Sequence, residues 1–251
     1  MKILGIIPAR YASTRFPGKP LADLAGKPMI QRVYEKVAGI LDDVVVATDD
    51  QRIIDVVHSF GGKVVETATT HQSGTDRCFE AYQKAGEGFD VVVNIQGDEP
   101  FIQKTQIELI KSCFESKDTQ IATLVKPFCE SDGMDALLNP NSPKVVLNKK
   151  QEAICFSRSV IPFLRNHPQE KWLKHHTFYK HIGLYAYRAD VLKEITALPQ
   201  GELEIAESLE QLRWIENGYK IKVGITQEET IGIDTPDDLE KAIAFFQRNE
   251  K

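Results

Sequence analysis

The stretch Ile7-Pro-Ala-Arg-Tyr-Ala-Ser-Thr-Arg-Phe-Pro-Gly-Lys-Pro-Leu21 gathers three cations, the hydroxyls of Ser13 and Thr14, three prolines and one glycine, and contains no acid. Prolines stiffen such a loop, Gly18 lets its backbone come close to a ligand, and Arg10, Arg15 and Lys19 can neutralise a polyphosphate. A triphosphate substrate fits. The spacing is neither Gly-x-x-x-x-Gly-Lys-Ser/Thr nor Gly-x-Gly-x-x-Gly, so P-loop hydrolases and dinucleotide-dependent dehydrogenases lose support. Two more stretches suit a site. Gln72-Ser73-Gly74 offers small polar groups and accessible backbone, and Gln96-Gly97-Asp98-Glu99-Pro100 sets a carboxylate in a turn. Plainer readings stand beside these: Ser73 or Thr75 as a helix cap, Asp98 as a turn former beside Gly97, and Asp234 as a residue just ahead of the last helix. Ser13 and Ser73 lack a histidine and acid in any nucleophile-activating pattern, so direct transfer without a covalent enzyme intermediate is expected.

The elements that must position these loops are α/β in character. Across 251 residues, 42% apolar and 27% charged, a sizeable core can be buried, and one extended domain is the starting expectation. Ile3 to Ile7 reads as the first strand. A helix opened by Pro28 follows, with Ile30, Val33, Val37 and Ile40 on one face, and then a strand from Val44 to Thr48. Asp49 can cap the next helix, whose stripe is Ile53, Ile54, Val57 and Phe60, stopped by Gly61 and Gly62. Val64 and Val65 resume as strand, a helix covers about 75–84, and Val91 to Ile95 forms a continuous buried strand. In parallel sheets ligands bind outside the carboxyl ends of the strands, which points to the loops at 8–19, 72–76 and 96–100.

Beyond residue 126 the alternation loosens into the loop Asn139-Pro-Asn-Ser-Pro143, hairpin-like strands at 144–149 and 152–157, and a histidine-rich crossing, read together as a smaller inserted lobe at about 127–190. A strand at 182–187 follows. A helix over about 202–217 is expected to place Ile205, Leu209 and Leu212 on one side, ahead of a strand from Tyr219 to Ile225. The last helix starts with Thr235 as N-cap, Pro236 at its first position, and Asp237 and Asp238 in its positive first turn. The lobe's mixed strands suit pairing with another subunit, so a homodimer is expected.

The formal charge of -5 argues against nucleic acid as a partner. It hides a polarity: residues 1–20 carry Lys2, Arg10, Arg15 and Lys19 and no acid, whereas residues 201–251 carry twelve Asp and Glu against six Lys and Arg. The front end is built to meet an anion. With no apolar run of about 18 residues and no export signal, a cytoplasmic protein without membrane insertion is expected. Cys78, Cys113, Cys129 and Cys155 form no Cys-x-x-Cys pair, and His175, His176 and His181 have no zinc-helix spacing.

The basic loop, together with His71-Gln-Ser-Gly-Thr75, Asn94-Ile-Gln-Gly-Asp-Glu-Pro100, Phe156-Ser-Arg158, His181-Ile-Gly-x-Tyr185, Leu209-Glu-Gln-Leu-Arg213 and Gly232-Ile-Asp-Thr-Pro236, resembles the 3-deoxy-manno-octulosonate cytidylyltransferases, the CMP-Kdo synthetases of Gram-negative bacteria. The resemblance spans nearly the whole chain. Pro143 stands where that family tends to have a small or apolar residue, and Asp76 where it usually has Glu.

The resemblance implies a Rossmann-like, mostly parallel sheet of the nucleotide-diphospho-sugar transferase type, and the reaction of CTP with 3-deoxy-manno-octulosonate (Kdo) to give CMP-Kdo and diphosphate for lipopolysaccharide biosynthesis. By that resemblance Ala9, Arg10, Arg15, Lys19, Gln72, Ser73, Gly74 and Arg77 bind the nucleotide, with Arg10 and Lys19 at its phosphates and Arg15 assisting, and with Gln72-Ser73-Gly74 at its base and Arg77 near it. Arg10, Lys19 and Asp98 carry the catalysis, and Asp98 and Asp234 hold Mg²⁺. Arg158 and His181 face the sugar carboxylate, while Gln96, Tyr185, Glu210 and Gln211 face its hydroxyls. Glu210 as a solvated helix residue and His181 as a core histidine are the plainer readings. Related activities remain open: transfer to an 8-amino analogue of Kdo or to sialate, or a non-catalytic module that binds CTP.

Overall fold

In the computed structural model the described residues are 1–12, 16–86, 88–229 and 232–249, without the side chains of 247–249. They pack as two compact units, Met1–Glu108 with Thr230–Lys251, and Leu109–Glu229. In the first, β1 (Ile3–Ala9), α1 (Met29–Val37), β2 (Asp43–Thr48), α2 (Gln51–Ser59), β3 (Val64–Glu66), α3 (Gly74–Ala85) and β4 (Val91–Asn94) alternate as the hydrophobic periods require. All pairings here are parallel, in the order β3-β2-β1-β4. Because β1 has β2 on one side and β4 on the other, the connections leaving the carboxyl ends of β1 and β4 diverge and leave a crevice there. That crevice is framed by residues 8–12 and 19–20 on one side and 96–98 on the other.

Two helix ends in this unit differ from expectation. The helix after β2 starts at Gln51, so Asp50 rather than Asp49 is its N-cap, accepting from the Arg52 amide at 3.0 Å. Two consecutive acids at a strand end offer two caps, and only the nearer one reaches the helical amides. Ile40 lies past the end of α1, because Gly39 takes a φ of +86 that ends the helical run.

Helix α4 (Lys104–Ser112) begins in the first unit and ends in the second. The second unit continues with β5 (Ile121–Pro127), α5 (Gly133–Leu138), β6 (Lys144–Leu147), β7 (Ala153–Ser157), α6 (Trp172–His175), β8 (Tyr179–Arg188), α7 (Ala189–Thr196), α8 (Glu202–Glu207), α9 (Gln211–Glu216) and β9 (Ile221–Ile225). Here β5 pairs parallel with β9 and antiparallel with β8, and β6 pairs antiparallel with β7 and β8. The residues expected to form a lobe, about 127–190, lie inside this broader unit.

The expected single helix over 202–217 is two. Ser208 takes a φ of +50 and breaks it. The break lets Arg213 reach back to Glu204 with two hydrogen bonds of 2.7 and 2.5 Å, and it turns Ile205 outward, 64% exposed, while Leu209 and Leu212 stay buried. A buried carboxylate matched by a bidentate guanidinium outweighs helical continuity. The chain then returns to the first unit, where Ile233 and, on α10 (Pro236–Asn249), Ala242 join a core with Leu24, Met29 and Phe101.

Candidate active site

A cleft of about 430 Å³ lies at the carboxyl ends of β1 and β4, lined by Ala9, Arg10 and Lys19 after β1, Gly74 and Arg77 of α3, and Gln96 and Asp98 after β4. Its floor is a close backbone approach. A Cβ on Gly97 would stand 3.0 Å from the Pro8 carbonyl oxygen, so the turn after β4 needs glycine to sit against the end of β1. Gly18 holds a left-handed φ of +71, and its amide donates to the Tyr11 carbonyl at 2.9 Å, which starts the short 3-10 turn Lys19–Leu21 and aims Lys19 inward.

The Lys19 ammonium donates to Asp98 Oδ2 at 2.6 Å and to Asp234 Oδ1 at 3.2 Å. Asp234 is held for this by its own helix start. Thr235 Oγ1 accepts from the Asp238 amide at 3.2 Å, and Asp238 Oδ2 accepts from the Asp234 and Thr235 amides, so the expected N-cap is present in reciprocal form. The Ile233 amide donates to the Asp98 carbonyl at 2.9 Å and ties the two acidic segments together.

The local charges decide what else this cleft needs. Arg10 and Lys19 are balanced by Asp98 and Asp234, and Arg77 by Asp49, so these described groups sum to zero. A triphosphate carries several negative charges and would gain little from a neutral wall. The donor set fits Mg²⁺, which takes one or two carboxylates and completes its shell with waters and substrate phosphates. Among the described residues no group of three His, Cys, Asp or Glu is placed to hold a metal ion. Arg15, expected to assist at the phosphates, lies outside the described residues.

On the α3 side Ser73 is the helix cap of its plainer reading. Its Oγ accepts from the Asp76 amide at 3.1 Å while Asp76 Oδ2 accepts from the Ser73 amide at 3.2 Å, a capping box in which Asp serves where Glu is usual. Gly74 has only ordinary contacts around a built Cβ, 3.8 Å and beyond, so no protein atom demands glycine there; its bare backbone faces the cleft. Gln72 is exposed and donates to the Thr70 carbonyl. Arg10 donates to the His71 carbonyl. Arg77 is fully buried, paired with Asp49 Oδ2 at 2.9 Å and with the Thr67 hydroxyl, while its Nε has no partner.

The residues expected to hold the sugar divide between the units. Gln96 lines the cleft of the first. In the second, His181 and Tyr185 lie together, with ring centroids 5.3 Å apart, and Tyr185 meets Trp214 edge-on at 5.2 Å. His181 Nε2 is 3.1 Å from Thr123 Oγ1, and burial pushes its pKa down to about 3. The imidazole is therefore neutral and offers a ligand no charge. Burial raises the Tyr185 phenol well above its ordinary pKa, so it also acts as a neutral group. Gln211 is buried on α9 with an unpartnered Nε2, and Glu210 precedes it at the helix start. Arg158 is apart from these in its bonding: its guanidinium donates to the carbonyls of Glu207, Pro140 and Ser208.

Asp49 was expected as a helix cap and not as the partner of Arg77, and Thr67, Thr123 and Trp214 were not singled out from sequence. For Asp49 a signal existed in the Asp49-Asp50 pair, since only one of two acids can cap. The others sit in ordinary strand and helix patterns and become visible only when packed.

Residues 4–221 match the family model described as cytidylyltransferase. The chain is 70% identical to a 3-deoxy-manno-octulosonate cytidylyltransferase of Phocaeicola vulgatus, across 100% of this chain and 99% of the relative. It is 71% identical to the protein of that name from Parabacteroides distasonis, covering 98% of each. Among solved structures, it is similar to CMP:2-keto-3-deoxy-manno-octonic acid synthetase complexed with CTP, with a TM-score of 0.90, 42% identity and 99% of each chain covered. A 4-diphosphocytidyl-2C-methyl-D-erythritol synthase from Anaerococcus prevotii shares the fold at a TM-score of 0.62 and 14% identity, over 98% of this chain and 99% of that one.

Proposed function

The chain belongs to the 3-deoxy-manno-octulosonate cytidylyltransferase family, and on that premise we propose that it activates Kdo: the anomeric hydroxyl of the sugar acid attacks the α-phosphorus of CTP in line, CMP-Kdo forms and diphosphate leaves. The observation that carries this reading is the meeting of Lys19 with Asp98 and Asp234 at the mouth of the cleft. Phosphoryl transfer is catalysed chiefly by positioning and charge neutralisation, and these are the groups that do both. Arg10 and Lys19 take the phosphates, with Arg15 assisting. Ala9, the turn Gln72-Ser73-Gly74 and Arg77 take the nucleoside, where cytosine is told from uracil by backbone and small polar groups.

Asp98 and Asp234 would hold Mg²⁺, which when bound neutralises phosphate charge and lowers the pKa of the attacking hydroxyl. For the sugar acid, three of the five guanidinium N–H groups of Arg158 are committed to carbonyls, which leaves two for a carboxylate. His181 is the second residue assigned to that carboxylate. Gln96, Tyr185, Glu210 and Gln211 take the hydroxyls, and the orphaned Nε2 of Gln211 supports that assignment. CMP-Kdo then feeds lipopolysaccharide assembly.

We place the enzyme in the cytoplasm, where CTP is made. Its four cysteines are all free thiols, the state a reducing compartment maintains. No described helix is long and apolar enough to cross a membrane. We also read it as a homodimer, supported by exposed Leu138, Ile154, Phe163, Leu203 and Ile205 in the second unit. The mechanism is tested by Asp98→Asn. Turnover is expected to fall about 100-fold while the dissociation constant for CTP changes little, since the carboxylate acts on charge that develops in the transition state. Undiminished turnover at ordinary Mg²⁺ would remove Asp98 from the site.

A further inference from the structure

The segment 67–73 between β3 and α3 has no strand or helix ladder, yet it delivers both the base-side turn and the carbonyl that Arg10 grips. Such a segment is fixed only if side chains supply the hydrogen bonds that regular structure would. Glu80, on the second turn of α3 and only 21% exposed, does this from outside the cleft. Its Oε2 accepts from the Ala68 amide at 2.9 Å and from His71 Nε2, and its Oε1 accepts from Lys84 Nζ at 2.7 Å. Lys84 in turn donates to the Glu66 carbonyl at 2.9 Å, so the end of β3, the segment and α3 are bound through one carboxylate.

From this chain of contacts we propose that Glu80 is a positioning residue for the nucleotide: through His71 it sets the carbonyl that orients the Arg10 guanidinium at the phosphates. Glu80 touches no substrate. The inference rests on the reading of Arg10 as a phosphate ligand and adds to it a residue outside the cleft on which that ligand depends. Burial alone would raise the Glu80 pKa, but hydrogen bonds from Lys84, the Ala68 amide and His71 outweigh burial and pull it down to about 2. The carboxylate is thus charged at every pH at which the enzyme works, as a permanent fastening must be. In sequence the residue shows only as the first member of an i,i+4 pair with Lys84, the pattern of an ordinary exposed helix face.

The experiment is a double-mutant cycle on CTP binding, with the full-length protein, Mg²⁺ and no sugar acid. The four proteins are wild type, Glu80→Gln, Arg10→Ala and the combination. Glu80→Gln is expected to weaken CTP about tenfold, the size of one charge-assisted hydrogen bond lost from the bound state. In the Arg10→Ala background the same change is expected to have no effect, because the group it positions is gone. A generic loss of stability would weaken binding by the same factor in both backgrounds, and that result overturns the proposal, as would unaltered binding by Glu80→Gln. If Arg10→Ala itself binds CTP like wild type, the assignment of Arg10 fails and the relay with it, so the two failures are distinguished. Should Glu80→Gln not fold, Glu80→Asp keeps the charge and shortens the reach by one methylene, and it completes the same cycle.

Discussion

Enclosed by Phe156, Tyr185 and Thr123, the His181 imidazole stays neutral far below the ordinary histidine range, because burial penalises its charged form. In the unfolded chain it would take up a proton as pH falls through about 6.5. The folded protein resists until about pH 3, so between those values the unfolded state binds more protons and stability declines as pH drops. The urea midpoint is therefore expected to fall from about pH 7.5 to about pH 5 by less in His181→Gln than in wild type; equal falls would show that His181 is not held neutral. Residue chemistry was unevenly legible. Arg10, Lys19, Asp98 and Asp234 announce themselves by charge in stiff, glycine-bearing loops. Glu80 and Asp49 do not, because a carboxylate that fastens a neighbouring segment has the same sequence context as one that faces water.

At the scale of elements, the parallel strands and their helices follow from β-branched runs alternating with amphipathic stripes, and β1 to β4 fall where the periodicity puts them. What the pattern misses is a break caused by a distant partner. The run 202–217 is periodic enough for one helix, yet the pairing of Arg213 with Glu204 across Ser208 makes two, and no local signal encodes that pairing. The start of α10 is the opposite case, where Thr235, Pro236 and Asp238 spell out a cap that the structure contains. Because that cap also fixes the backbone of Asp234, Thr235→Ala should cost about 1 kcal/mol of stability in urea unfolding. It should also raise the Mg²⁺ concentration needed for half-maximal turnover. A change in stability alone would separate the cap from the acidic site.

For the whole molecule, the charge polarity of the sequence becomes a contact. Lys19 from the acid-free front and Asp234 from the acidic tail, 215 residues apart, stand 3.2 Å from one another. The front end supplies the cation, the tail supplies half of the carboxylate pair, and the strand order that juxtaposes them is parallel and local to the first unit. The second unit carries His181, Tyr185 and Gln211, the groups proposed for the sugar acid; His181 packs on Tyr185 and Tyr185 on Trp214, and the Gln211 Nε2 is buried without a partner. The chain is proposed to join a CTP to a Kdo. The direct measurement is diphosphate release by the intact protein with Mg²⁺, CTP and Kdo, beside parallel reactions with sialate, 8-amino-Kdo, UTP and ATP. Release with CTP and Kdo well above every other pairing is the expected result; release with another sugar acid but not with Kdo would contradict the account.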